Sequence, residues 1–420
     1  MRDHHPHRGR IRSRGYFRRL GPGIVTGVAD DDPSGIATYS QVGASARFDL
    51  LWTAVAAFPL AVAVQESTAR LGLVTGKGLA ALIREKFPRW ILLVAVALVT
   101  AANTFNIGAD IGSMAAAVRL LVPVPFAILV VVFALGMTIV EIVVPYHRYV
   151  RFLRWLSLSV LAYVVVLFFA KAEWGDVARG ALIPSVNFDA TTIGALLAVF
   201  GTTISPYLFF WQTAEEVEEI NDGNGVDLPE DEHMRAMRGD VFAGMGSGVA
   251  IMFAIMVTAG ATLGRAGSVR IDTADQAADA LRPLAGDMAG ALFALGILGT
   301  GLLAVPVLAG STAYALSETF GWREGLSLRM NQAKAFYGVI SASMMMGLVM
   351  NFVGLNPVRA LYLSAILNGI AAGPLILLVL LLARDRTLMH THASGRISQT
   401  LVLFAAASAL ILPVLLLLAR

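Results

Sequence analysis

The chain has 420 residues, 57% of them hydrophobic and only 15% charged, with a mean hydropathy of +0.70 and a net charge of +3. A soluble domain carries about 25% charged residues, so this composition describes an integral membrane protein whose main partner is the lipid bilayer and gives no footing for a nucleic-acid partner. The absence of cysteine excludes disulfides, thiolate zinc sites and iron–sulfur clusters.

Residues 1–20 are a basic tail with Arg2, Arg8, Arg10, Arg12, Arg14, Arg18 and Arg19. By the positive-inside rule this tail is cytoplasmic. His4, His5 and His7 read as solvated tail residues. The apolar run that follows is split by three aspartates, which a cleavable signal peptide would not tolerate.

That run, residues 21–45, is long enough to span a bilayer, yet Asp30, Asp31, Asp32, Pro33, Ser34 and Gly35 sit in its middle. A carboxylate at mid-membrane costs about 2.5–3.5 kcal/mol on insertion scales. Pro33 removes a backbone donor, and Gly35 loosens the helix further. A break at membrane depth is tolerated only where it is buried in protein or lines a watery cavity. The stretch therefore reads as a discontinuous helix whose gap holds a cation. The Asp32 carboxylate and the free carbonyls near Ala29 are its oxygen ligands.

Further apolar runs of about 20 residues, the length that crosses ~30 Å of hydrocarbon, fall near 50–72, 91–118, 124–144, 152–172, 191–218, 240–263, 287–317, 334–353, 357–383 and 398–419. That gives eleven helices. With the N-terminus inside, the cytoplasmic segments hold most of the Lys and Arg, and the C-terminus is outside. The loop Asn221–Asp231 reads as polar, mobile and cytoplasmic, and no soluble domain is expected.

Residues 191–218 repeat the oddity of the first run. Gly201-Thr202-Thr203-Ile204-Ser205-Pro206-Tyr207 interrupts it near the centre. Helices 1 and 6 begin on opposite faces of the membrane, the pattern of an inverted repeat of five helices plus five. Paired broken helices point to a transporter's midplane site. The expected organisation is a tail at 1–20, a core at 21–383 made of repeats at 21–172 and 191–383, and an additional helix at 398–419.

Three stretches together resemble the Nramp family of divalent metal transporters. They are Gly21-Pro22-Gly23 with Asp32-Pro33-Ser34-Gly35-Ile36-Ala37-Thr38 and Gln41-Val42-Gly43-Ala44; Leu71 to Ala80; and Gly201 to Tyr207. The resemblance implies an all-α integral membrane protein, a LeuT-like five-plus-five inverted repeat with broken helices 1 and 6 and about 11 transmembrane helices. It also implies that divalent cations are the substrate, with no cofactor and no obligate protein partner, in a bacterial plasma membrane. The chain departs from the family at the ligands. Asp32 matches, but Gly35 stands where the family has an asparagine ligand. Ser205 replaces its methionine ligand, Tyr207 a histidine, and Gln212 a second histidine. Asn103 and Ser113 replace acidic residues on the proton route, while Asp110 matches. A glutamine ligand of helix 10 aligns with Ala365, one turn from Asn368. The magnesium-transporting relatives of the wider family also lack the methionine.

The candidate ligands are therefore Asp32, Ser205 and the backbone at Ala29, Thr202 and Gly35, with Asp30, Asp31, Tyr207, Asp110, Asn103, Gln41 and Asn368 in supporting or pathway positions. A set without sulfur or imidazole suits a hard ion, Mg²⁺ with Mn²⁺ as second substrate. A proton symporter needs a group that titrates at working pH, usually His. All seven histidines read as loop or tail residues, so proton coupling is expected to be weak or absent. Glu66 and Glu141 read as partners of Arg70 and Arg148, and the glutamates 215, 216, 218 and 219 as a solvated face. The rival within the fold is a proton-coupled Mn²⁺/Fe²⁺ symporter. An amino-acid transporter is disfavoured because three aspartates repel a substrate carboxylate. No nucleophile–base pattern in the spans supports an intramembrane hydrolase.

Overall fold

The computed structural model describes residues 22–144, 161–169, 172–221, 230–266 and 270–419. The basic tail, most of the expected 152–172 span and Arg148 lie outside them. The regular elements among the described residues are all helices, without strands.

The first apolar run is two helices, α1 (Pro22–Asp30) and α2 (Pro33–Ala46). Asp32 is extended (φ −67°, ψ 171°) and caps α2 through Gly35 N–H, with Pro33 at the first helical position. This is the arrangement that starts a helix afresh. α3 (Trp52–Thr75) stops at Gly76 in the left-handed region, φ 62°. There follow α4 (Leu79–Lys86), α5 (Arg89–Val118), α6 (Phe126–Val143), α7 (Leu161–Val166) and α8 (Trp174–Leu182). The second broken run is α9 (Ala190–Thr203) and α10 (Pro206–Asn221). The chain continues as α11 (Glu230–Thr262), α12 (Ala289–Phe320), α13 (Lys334–Met350), α14 (Pro357–Ala383) and α15 (Arg396–Leu418).

Every expected span other than most of 152–172 falls on a described helix, and both breaks stand where the sequence puts them. The order of elements is that of the five-plus-five inverted repeat with helices 1 and 6 broken. Seven described stretches are long and apolar enough to cross a membrane. The halves α1 and α2 are individually too short to count among them. α11 differs from expectation, since it begins at Glu230 rather than near 240. His233 is therefore a buried helical residue, which corrects its placement in a loop.

The two halves of helix 1 pack along α11, α10 lies between α3 and α12, and α5 lies among α12, α13 and α14. α15 packs on α14 and leaves Leu403, Phe404 and Leu418 largely exposed. An apolar surface of that kind belongs against lipid. The contact of α1 with α11 is made by backbone. A Cβ at Gly27 would stand 2.2 Å from the Gly244 carbonyl, and one at Gly244 would stand 2.1 Å from the Gly23 carbonyl oxygen. Small residues allow helices this close an approach.

Candidate functional site

The two breaks face each other in the interior. Asp30, Asp31 and Asp32 are all buried, as are Thr202, Ser205 and Tyr207. The Asp32 carboxylate and the hydroxyls of Thr202, Ser205 and Tyr207 are each directed by a neighbour.

Asp32 has two tasks. Its Oδ1 accepts the Gly35 N–H and the Ser34 hydroxyl, both at 2.7 Å. Its Oδ2 accepts Asn106 Nδ2 of α5 at 2.8 Å. The same amide reaches Asp110 Oδ2 at 3.2 Å, so Asn106 ties the α2 cap to the carboxylate of α5. Asp110 Oδ1 and Asn106 Oδ1 have no partner among the described residues. Sequence reasoning gave Asn106 no place at the gap. Its spacing of four from Asp110 put both on one helix face, but nothing local pointed to Asp32.

Across the gap, Ser205 Oγ donates to the carbonyls of Thr202 (2.7 Å) and Gly201 (3.2 Å). These are carbonyls that the end of α9 leaves without an intrahelical partner. The Thr202 hydroxyl lies 3.2 Å from Ser34 Oγ and bridges the two breaks. Tyr207 donates its hydroxyl to the Ala29 carbonyl at 2.8 Å, and Ser311 of α12 donates to the Tyr207 carbonyl at 2.7 Å. The Ala29 and Thr202 carbonyls thus each carry one hydroxyl and retain a second lone pair. Gly35 forms the wall between them. A Cβ there would meet the Tyr39 ring at 3.3 Å, and the Asp30 carbonyl and the Thr202 hydroxyl at 3.4 Å. A larger side chain at position 35 would project into this space.

Asp30 Oδ1 is buried without a partner among the described residues. The Asp31 carboxylate faces Gly248 of α11. No ion pair to Asp30, Asp31 or Asp32 occurs among the described residues. Three adjacent buried carboxylates without a basic partner form a strongly cation-seeking centre, because burying a carboxylate is costly unless its charge is matched.

The other expected positions divide into two groups. Gln41 lines a cavity of about 500 Å³ with Ala37, Ser45, Thr191, Arg359 and Tyr362, and accepts the Ile271 N–H at 2.8 Å. By the ~1.5 Å helical rise, Ala37 stands roughly 7.5 Å along α2 from Asp32, so the cavity approaches the gap from the α2 side. Asn368 is buried on α14 with both amide atoms unpaired among the described residues. Asn103 is directed away from the gap, donating to Leu308 O (3.2 Å) and Thr312 Oγ1 (3.0 Å) of α12. Ser113 donates to the Asp110 carbonyl.

The α1 side is closed. Asp240 accepts the N–H of Gly23 and of Ile24 at the start of α1. Thr26 donates to Gln212 Oε1 at 2.5 Å, and Gln212 Nε2 donates to Glu216 at 2.8 Å. Glu66 pairs with Arg70 at 3.1 Å as expected and also with Arg238 at 3.0 Å. The pairing of Glu141 with Arg148 lies outside the described residues. The glutamate run at the end of α10 is not a solvated face. Glu216 is buried, and Glu218 accepts the Tyr314 hydroxyl and the Leu326 N–H. The chain around 321–333 folds over residues that composition alone assigns to water.

Residues 23–419 match the family described as natural resistance-associated macrophage protein-like, Nramp. The chain is 30% identical over 299 residues to a divalent metal cation transporter MntH of Erwinia tasmaniensis, covering 68% of each chain. It is 28% identical over 405 residues to the MntH of Aeromonas hydrophila, covering 90% of each. Its fold is similar to the crystal structure of the Eremococcus coleocola manganese transporter, with a TM-score of 0.78 at 18% identity, covering 96% of this chain and 87% of that one.

Proposed function

Because the chain belongs to the Nramp family, we propose that it is a secondary transporter that carries divalent metal cations across the membrane by alternating access around the two breaks, with Mg²⁺ and Mn²⁺ as its substrates. The observation that carries this reading is the trio Asp30–Asp31–Asp32, buried at a helix break with no basic partner among the described residues and faced by oxygen donors. The relatives named MntH and the Eremococcus manganese transporter support metal as the cargo.

In this reading Asp32 supplies the charged ligand. Ser205 Oγ and the second lone pairs of the Ala29 and Thr202 carbonyls complete an oxygen set. Asp30 and Asp31 raise the local negative potential. Oxygen donors suit hard ions, and Mg²⁺ keeps several of its waters when bound. Gly35 contributes no side-chain ligand, which leaves coordination positions to water. The 500 Å³ cavity is the outer approach and the fastened α1 is the closed inner gate, with the N-terminus on the cytoplasmic side of a bacterial plasma membrane. Transport requires α1 to leave Asp240 and Tyr207, opening the gap to the other face.

No histidine reaches the gap among the described residues, which favours weak or absent proton coupling. A proton-coupled Mn²⁺/Fe²⁺ symport is the second reading. It is favoured by the Asp32–Asn106–Asp110 connection, in which one amide joins a second buried carboxylate to the ion's ligand. Uptake of Mg²⁺, Mn²⁺ and Ca²⁺ by the purified protein in proteoliposomes, with Asp32→Ala as control, tests the transport reading. Equal rates at pH 6 and pH 8 support uncoupled transport. Acidification of the lumen with metal entry overturns it in favour of symport.

A further inference from the structure

Away from the breaks, three metal-ligating side chains converge where α10 ends and α11 begins. Glu216, Glu219 and His233 each offer one ligand atom, and the three atoms lie within 4.8 Å of one another. Glu216 and Glu219 are three residues apart on α10 and so share a helix face. His233 comes from the first turn of α11, on a separate helix. Glu216 is 2% exposed and His233 8%; Glu219 is half-buried.

Two carboxylates held this close repel each other, and a dication between them, with the imidazole as third ligand, removes that repulsion. Glu216 is also oriented from behind. Gln212 donates to its Oε1 at 2.8 Å, and the Thr26 hydroxyl of α1 donates to Gln212 Oε1 at 2.5 Å. Ligating carboxylates are characteristically held by such outer hydrogen bonds.

We propose that Glu216, Glu219 and His233 bind one divalent transition-metal ion at the membrane face that carries the start of α1. Imidazole with carboxylate suits Mn²⁺, Fe²⁺, Co²⁺ or Zn²⁺, whereas Mg²⁺ takes oxygen ligands. The site therefore differs in chemistry from the oxygen-only gap and needs neither Asp32 nor alternating access. The Thr26–Gln212–Glu216 chain connects it to the inner half of the first broken helix, so its occupancy is felt by α1.

The test uses Mn²⁺ as probe on the full-length chain, with His4, His5 and His7 replaced by alanine to silence the tail. Pulsed electron paramagnetic resonance reads nitrogen modulation from a metal-bound imidazole, which the gap site cannot produce. In this background Asp32→Ala is expected to keep the modulation, and His233→Gln to remove it. Glu219→Gln is expected to weaken Mn²⁺ binding at this site by at least the roughly 10-fold that loss of an outer partner costs. An excess of Mg²⁺ leaves the modulation in place. Absence of modulation in folded Asp32→Ala protein, or its persistence in His233→Gln, overturns the proposal. Retained uptake by Asp32→Ala counts against the gap reading alone, so the two readings fail separately.

Discussion

The Asp240 carboxylate accepts the backbone N–H of Gly23 at 2.6 Å, across 217 positions of sequence, and of Ile24 at 3.3 Å. A residue of α11 thus supplies the N-terminal cap of α1, placing negative charge at the positive end of that helix. Together with Tyr207 on the Ala29 carbonyl, it fastens the inner half-helix at both ends.

Asp240→Ala is expected to release the start of α1. The loss of a cap costs about 1 kcal/mol, enough to raise the open fraction of α1 several-fold. The chain has no cysteine, so a thiol introduced by Val25→Cys reports the opening directly. Its labelling rate by a membrane-impermeant reagent is expected to rise in the Asp240→Ala background.

The two tasks of Asp32 are separable. Asn is as good a helix cap as Asp, so Asp32→Asn keeps the Gly35 cap, but its amide nitrogen cannot accept the Asn106 N–H, and the variant is expected to melt between the wild type and Asp32→Ala. Asp32→Ala loses the Ser34, Gly35 and Asn106 contacts and is expected to melt lower. Uptake is expected to be lost in both, because neither carries the charged ligand. Thermal unfolding alongside the proteoliposome assay checks this.

Backbone contact between α1 and α11 predicts opposite outcomes for two glycines of one helix. Gly244→Ala places a Cβ 2.1 Å from the Gly23 carbonyl oxygen and is expected to cost about 1–3 kcal/mol by overpacking. Gly239→Ala meets nothing within 4 Å and is expected to stabilise by up to about 1 kcal/mol through helix propensity. The difference in thermal midpoint between the two variants is the measurement.

The loop between α12 and α13 carries a pH dependence. Burial, then the neighbouring carboxylates of Glu318 and Glu218, push Glu324 up from 4.5 to about 9, with Arg84 opposing. Between those two values the folded chain holds a proton that the unfolded chain has released. Stability from this group is therefore full below 4.5 and declines as pH rises towards 9. Glu324→Gln is expected to flatten the decline in a thermal-midpoint series across that range.

Ser205→Met puts a thioether beside the oxygen donors. Soft sulfur favours softer ions, so Cd²⁺ is expected to compete better against Mn²⁺ uptake in the variant than in the wild type.

The breaks were readable because their signals are local. Asp32-Pro33 and Ser205-Pro206 interrupt apolar runs in a way the backbone has to answer. What escaped depended on distant partners. Asn106 went unnoticed because its bond to Asp32 crosses 74 positions. The glutamates of α10 looked solvated because the segment around 321–333 that folds over them is remote in sequence. α11 starts early because Glu-Asp-Glu at its N-terminus suits the helix dipole, although it fails any count of apolar residues. His233 was missed for the same reason.

Where α1 meets α11, bare main chain at Gly27 and Gly244 touches bare main chain. At that point of contact no side chain stands between the two backbones, so none has to change rotamer there before the surfaces part or after they rejoin. Such a seam works as a plain bearing, and its wear points are the hydrogen bonds at either end of the rod.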